Sequence, residues 1–175
     1  FKGTKKKKEN SPYNYSAMST YVAINYAIHK VGKDYDKLLK EIFTDHVGVK
    51  DTVHFMKVSW SPKDIAKGSQ RYTFFATSED YLRIAKTIMN DYHSDSCIGD
   101  YLRSIYDNRV EKKLKDSRTT NKQSASATFE YGGQIHFSFK GMKDRVIFAM
   151  DGFAGQQIVI DMDNKRILIV NTISQ

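Results

Sequence analysis

The clearest pattern of apolar and polar positions lies in the last part of the chain, from Tyr131 onward. Between residues 134 and 139 apolar and polar side chains alternate, which predicts a strand with one face toward solvent and His136 on that face. The following apolar runs are nearly continuous and β-branched, as is typical of strands covered on both faces. The predicted strands are 134–139, 146–150, 158–161 and 167–171. Short Gly-, Asp- and Asn-containing stretches between them favour tight turns, so we predict an antiparallel meander.

Earlier in the chain, apolar residues recur at helical spacing. The predicted helices are 17–31, 34–45, 79–92 and one that begins near Ile98. The first has few polar positions and is expected to be largely buried. The sequence Thr77-Ser78-Glu79-Asp80 is typical of a helix N-terminus. We predict irregular structure from the residue after Thr52 to Tyr72.

These elements divide the chain into a basic, disordered lead at 1–11 and one folded unit at 12–175. Within that unit, 12–115 is predicted to be mainly helical, 116–126 a polar loop, and 127–175 the antiparallel sheet. Helices followed by strands predict the α+β class, with the helices packed on the sheet.

Charge and composition restrict the function classes. The net charge is +8, but a lysine run at residues 5–8 contributes much of it. A nucleic-acid-binding module is an alternative, yet most tyrosines fall at helix-core spacing, so we predict no nucleic-acid partner. The single cysteine excludes an internal disulfide, and the five histidines lack ligand spacing, so neither a metal site nor a cofactor is predicted. No apolar run is long enough for an integral membrane segment.

Three separated stretches resemble one enzyme superfamily, the serine β-lactamases and penicillin-binding proteins. The closest branch is that of the class C-like esterases and 6-aminohexanoate-oligomer hydrolases. The first stretch, Tyr15-Ser16-Ala17-Met18-Ser19-Thr20, is similar to the second motif of the family. The second, from Phe75 to Arg83, is similar to the "ATxxDxxRF" segment. The third, Gly152-Phe153-Ala154-Gly155-Gln156, resembles the "GxGGQ" segment that contains the third motif.

The resemblance implies catalytic roles for two residues. In the family the second-motif tyrosine takes part in proton transfer to and from the serine, which assigns that role to Tyr15. The backbone N–H after the third-motif glycine is an oxyanion donor, which assigns that role to Phe153.

The resemblance also implies four substrate-binding positions, Ala17, Met150, Asp151 and Gly152. Ala17 stands where many relatives have Asn, and Met150 stands where His or Lys is common. Gly152 would leave room for a substrate along the strand. Two of these four positions therefore depart from the family pattern.

The nucleophile motif of the family, Ser-x-x-Lys, is absent from the sequence. We therefore expect the C-terminal half of a β-lactamase-like domain, without its N-terminal strands and its Ser-x-x-Lys helix. The start at Phe1 agrees with a piece of a longer polypeptide. The expected partner is the missing N-terminal segment of the same protein, or another chain, which would complete the sheet.

The expected activity is that of a serine hydrolase that cleaves a small-molecule ester or amide through an acyl-serine. The alternative is a non-catalytic binding or structural protein of the same fold. The family resemblance alone suggests a periplasmic or secreted location.

Overall fold

The computed structural model describes residues 17–58, 71–112, 128–152 and 155–171. Its helices are α1 (Ala17–Val31), α2 (Tyr35–Leu39), α3 (Ser78–Tyr92) and α4 (Cys97–Asp107). A short 3-10 turn, Gly32–Asp34, joins α1 to α2, and a π-helical segment, Lys40–His46, continues α2. Among the described residues, no helix has the length and apolar character needed to cross a membrane.

The strands form two antiparallel sheets. The smaller one pairs β1 (His54–Val58) with β2 (Arg71–Phe75). The larger one contains the strands β3 (Val110–Glu111), β4 (Thr128–Gly132), β5 (Ile135–Phe139), β6 (Ile147–Asp151), β7 (Gln157–Asp161) and β8 (Arg166–Val170). These six strands lie in sequence order, and among the described residues each pairs only with its neighbours along the chain. Hairpin connections of this kind give an antiparallel meander.

One face of the larger sheet is covered by α3 and α4. Phe137 and Phe148 are fully buried there, with ring centroids 5.0 Å apart in an edge-on arrangement. Tyr106 of α4 packs edge-on against Phe137, and Tyr92 of α3 does the same against Phe148. Aromatic pairs in this geometry contribute beyond the apolar area they bury. The core therefore lies between this helix pair and the sheet.

The turn between β4 and β5 fixes how α4 packs on the sheet. Gly133 and Gln134 have φ values of 53° and 70°, as a two-residue hairpin turn of the right twist requires. A Cβ atom at Gly133 would lie 2.7 Å from the side chain of Ile105. Glycine at this position thus permits the turn and lets α4 approach it closely.

The predicted α+β class with an antiparallel C-terminal sheet is confirmed, and β5 to β8 agree with the predicted strands to within one residue at each end. Two predictions for the part of the chain before α3 differ from the structure. The segment predicted to be irregular contains β1 and the first two residues of β2. The described side chains of α1 are all at least partly exposed, and Val22 and Tyr26 are 59% and 64% exposed. The apolar composition of α1 predicted burial, but α1 lies outside the core between α3, α4 and the sheet.

Candidate functional site

The end of β6 carries three of the predicted substrate-binding residues, Met150, Asp151 and Gly152. Met150 pairs with Ile158 and Asp151 with Gln157 on β7. Gly152 then closes the loop, because its backbone N–H donates to the carbonyl of Gln156 at 2.8 Å. A Cβ atom at Gly152 would lie 2.9 Å from the side-chain oxygen of Gln156. The side chain of Gln156 therefore lies close to Gly152, and a larger residue at position 152 would displace it.

Met150 and Asp151 lie on opposite faces of the sheet, because successive side chains of a strand alternate. Met150 packs against the hydrophobic core on the face covered by α3 and α4. Asp151 is half-buried on the other face, where His136 pairs with Ala149. The structure therefore brings Asp151, and not Met150, into a polar environment.

That environment is a cluster of three ionisable side chains, Lys112, His136 and Asp151. The ammonium of Lys112 lies 2.6 Å from Nδ1 of His136, and Nε2 of His136 lies 3.4 Å from Oδ2 of Asp151. Lys112 also donates to the hydroxyl of Thr128 at 2.5 Å. Lys112 and His136 are only 5% and 7% exposed. The prediction that His136 faces solvent is wrong, although the alternation correctly separates it from the core residue Phe137.

Burial dominates the electrostatics of this cluster, which we name the Lys–His–Asp cluster. Burial lowers the pKa of Lys112 to about 8, although the negative charge of Asp151 acts to raise it. Burial, and then the positive charge of Lys112, lower the pKa of His136 to about 4. Burial raises the pKa of Asp151, and the charge of Lys112 acts against that rise. At neutral pH Lys112 is therefore mainly a cation and the imidazole of His136 is neutral.

The protonation state fixes the direction of the hydrogen bonds. An ammonium has only donors, so Nδ1 of His136 must accept from Lys112. The proton of the neutral ring then resides on Nε2, which points toward Asp151. Tyr131 packs edge-on against the imidazole, with ring centroids 4.9 Å apart. The ring of His136 is thereby held in one orientation.

Helix α1 contacts the same end of the sheet. The hydroxyl of Thr20 donates to Oε1 of Gln134 at 3.0 Å, and Tyr131 donates to the same oxygen at 3.0 Å. Gln134 immediately precedes β5, and in an antiparallel pair the start of β5 and the end of β6 lie together. Helix α1 thus approaches the end of the sheet that carries Asp151 and Gly152.

The remaining predicted site residues are Ala17, Tyr15 and Phe153. Ala17 is the first residue of α1. Tyr15 and Phe153 lie outside the described residues, so their assigned roles stay predictions. In the described ranges, no group of three or more His, Cys, Asp or Glu side chains is arranged to hold a metal ion.

The sequence analysis did not identify Lys112 as a site residue, and it did not predict that His136 is buried. Lys112 follows a strand of two residues in a lysine-rich segment, where nothing in the local pattern indicates burial. His136 is separated from it by 24 positions in the sequence. A signal was nonetheless present, because a histidine in the middle of an otherwise apolar strand has to be hydrogen-bonded if it is buried.

Comparisons of this chain with protein-family models, with curated proteins and with solved structures gave no match.

Proposed function

We propose that this chain forms the C-terminal part of a serine hydrolase of β-lactamase-like fold, which cleaves an ester or an amide through an acyl-serine. The observation that supports this best is the hydrogen bond between Thr20 and Gln134. It joins the helix that follows Tyr15 to the end of the sheet that leads into the Gly152 loop. The two sequence stretches that resemble the second and third motifs of the family therefore belong to neighbouring elements.

The proposed chemistry divides the work between these elements. Tyr15 exchanges a proton with the nucleophilic serine, which is a poor nucleophile until a neighbouring base takes its proton. The backbone N–H of Phe153 stabilises the oxyanion, and one such donor contributes on the order of 3 kcal/mol to transition-state stabilisation. Ala17, Asp151 and Gly152 would line the substrate site, whereas Met150 packs against the core.

The serine and its lysine have to come from a segment other than residues 1–175, because no Ser-x-x-Lys occurs in them. The proposed source is the N-terminal part of the same protein, or a second chain. That segment would also supply the strands and the helix which the family fold requires beyond those of this chain.

One observation favours the non-catalytic alternative. Met150 packs into the core on the helix-covered face, so the position where relatives carry His or Lys presents no polar group. A protein of this fold that binds a small molecule, or a structural partner, without cleaving it would tolerate such a residue. The experiment must therefore separate catalysis from binding.

The test uses the full protein that contains this chain, a fluorophosphonate probe and the turnover of nitrophenyl butyrate. We expect the probe to label one serine outside residues 1–175, as located by mass spectrometry of the labelled peptide. Tyr15→Phe should lower turnover by about 100-fold or more, because proton transfer by a positioned side chain contributes that much. Tyr13→Phe is the matched control and should leave turnover unchanged.

Two outcomes would contradict the proposal. A labelled serine inside residues 1–175 would require a nucleophile that the family pattern does not provide. A full protein that folds, yet neither reacts with the probe nor turns over esters, would support the non-catalytic alternative instead.

A further inference from the structure

Lys112 and His136 have no part in the proposed chemistry, yet the Lys–His–Asp cluster joins three strands at the end of the sheet where the Gly152 loop begins. Lys112 extends from β3, His136 lies on β5, and Asp151 is the last residue of β6. Two of its three members are more than nine-tenths buried. Burying ionisable groups is costly unless they are paired, so such a cluster requires a reason.

We propose that Lys112 and His136 are positioning residues that hold the carboxylate of Asp151, and with it the start of the Gly152 loop, in a single orientation. The catalytic consequence rests on the proposed function. The positioning itself depends only on the contacts among these residues.

The ammonium of Lys112 determines which ring nitrogen of His136 accepts a hydrogen bond. Lys112 donates to Nδ1 of His136 at 2.6 Å, so the second ring nitrogen carries the proton and faces Asp151 at 3.4 Å. A protonated imidazole would place two positive groups 2.6 Å apart in a buried environment. A ring flipped in the same tautomer would direct its N–H toward the ammonium. Both alternatives are unfavourable, so the ring transmits the position of Lys112 to Asp151.

The neighbouring strands supply the groups that set the charge state of His136. Lys112 faces it from β3, Tyr131 packs against it from β4, and Asp151 faces it from β6. Burial is the main cause of the low pKa of His136, and the positive charge of Lys112 is the second cause. The same cation also favours the ionised form of Asp151. Removing Lys112 should therefore change the protonation of both other members in a known direction.

A small displacement of Asp151 is expected to have a large effect on the function of the Gly152 loop. Asp151 precedes Gly152, whose N–H is already committed to the carbonyl of Gln156. The next N–H in the chain is that of Phe153, the predicted oxyanion donor. Misplacing a catalytic group by about 1 Å can lower a rate by about 100-fold.

The first experiment observes His136 directly in the full protein, by nitrogen-15 NMR with labelled histidine. A His136→Gln variant identifies the resonances of this ring among those of the five histidines. In the unmodified protein we expect a neutral ring protonated on Nε2, which titrates with a pKa of about 4. A ring protonated on Nδ1, or one that titrates at its ordinary pKa near 6.5, would overturn the proposal.

The second experiment compares Lys112→Met with Lys143→Met. Lys143 is an exposed lysine that lies over the ring of Phe129, so its loss removes an equal charge from outside the cluster. We expect Lys112→Met to raise the pKa of His136 by about one pH unit, and Lys143→Met to leave it unchanged. Equal titrations in the two variants would overturn the proposal. If Lys112→Met does not fold, the protonation state of the His136 ring in the unmodified protein still tests the proposal.

A third measurement separates the positioning role from the proposed function. If the full protein hydrolyses esters, the acid limb of its kcat/KM profile should move to higher pH in Lys112→Met, because the pKa of Asp151 rises. An unmoved limb would overturn the positioning role and leave the hydrolase proposal intact. Absence of turnover would contradict the hydrolase proposal, and the NMR result for His136 would stand independently.

Discussion

Asp80 ties helix α3 to a distant loop through a fully buried carboxylate. Its two oxygens accept the backbone N–H groups of Lys50 and Asp51 at 3.0 and 2.9 Å. Arg83, one turn further along the helix, donates to it at 2.6 Å. Burial alone would raise the pKa of Asp80, but these donors outweigh burial and lower it. A carboxylate paired in this way stabilises the folded state as long as it is ionised.

We expect Asp80→Ala to lower the free energy of unfolding by about 3 kcal/mol, because it leaves buried N–H donors and a guanidinium without their acceptor. Glu79→Ala is the control, since the Glu79 side chain is 80% exposed, and should change it by less than about 0.5 kcal/mol. Urea denaturation at neutral pH measures both.

Because the folded pKa of Asp80 lies below its unfolded value, this stabilisation is present above the unfolded pKa. It is lost as pH falls through the folded pKa. A constant difference between Asp80→Asn and the unmodified protein down to about pH 2 would contradict this account.

Part of this residue-scale detail could be predicted from the sequence. The capping pattern at Thr77 is confirmed, because the hydroxyl of Thr77 accepts the N–H of Asp80 at 3.2 Å. The contact of Asp80 with Lys50 could not be predicted, because 30 positions separate the two residues. The same limit hid the pairing of Lys112 with His136. Local patterns report caps and faces, whereas partners that are distant in sequence depend on the tertiary structure.

At the scale of elements, the junction of α3 and α4 depends on Gly99. A Cβ atom there would lie 2.4 Å from the carbonyl oxygen of Ser94 and 2.5 Å from that of Asp91. Both are backbone atoms, so relief would require the two helices to move apart. Arg103 reinforces the junction by donating to the carbonyls of Tyr92 and Ser94. Glycine at this position therefore sets the distance between the helices that cover the core.

We expect Gly99→Ala to destabilise the fold by about 2 kcal/mol, the usual range for overpacking in a close-packed region. Ser104→Ala on the exposed side of the same helix is the control and should have little effect. Thermal unfolding followed by near-ultraviolet circular dichroism measures the change, because the signal of Tyr106 and Tyr92 reports the packing of this core. Equal melting temperatures for the two variants would show that the helices separate at no cost.

Element types were more predictable than their surroundings. The apolar runs of β6 to β8 predicted strands correctly, since β-branched runs bounded by turns have few alternatives. Full burial of β8 was also expected, but Leu168 is 56% exposed. The composition of a strand indicates that its faces are suited to burial. It does not indicate which of those faces another element covers. The β1–β2 hairpin was missed because its strands carry little periodic signal.

At the scale of the whole molecule, β8 is the outer strand of the sheet. In the part of the chain that the structure describes, its single strand neighbour is β7. Leu168 is exposed on the face opposite to Ile167 and Ile169, which pack against the core. An outer strand with unpaired backbone groups and an exposed apolar side chain is a template for pairing with another strand. The proposed hydrolase requires further strands, and this edge is where they would add.

We therefore expect residues 1–175, produced alone, to self-associate and to lack ester turnover. Leu168→Lys should reduce the self-association, because a charge on an edge strand opposes pairing. Leu82→Lys is the matched control: Leu82 is 47% exposed on helix α3, so its change removes a similar apolar surface away from the edge. Sedimentation velocity at several concentrations measures the association state, and nitrophenyl butyrate measures turnover. Adding the segment that carries Ser-x-x-Lys should restore a defined species with activity. A stable monomer that hydrolyses the ester unaided would contradict both the role of the β8 edge and the assignment of the nucleophile to another segment.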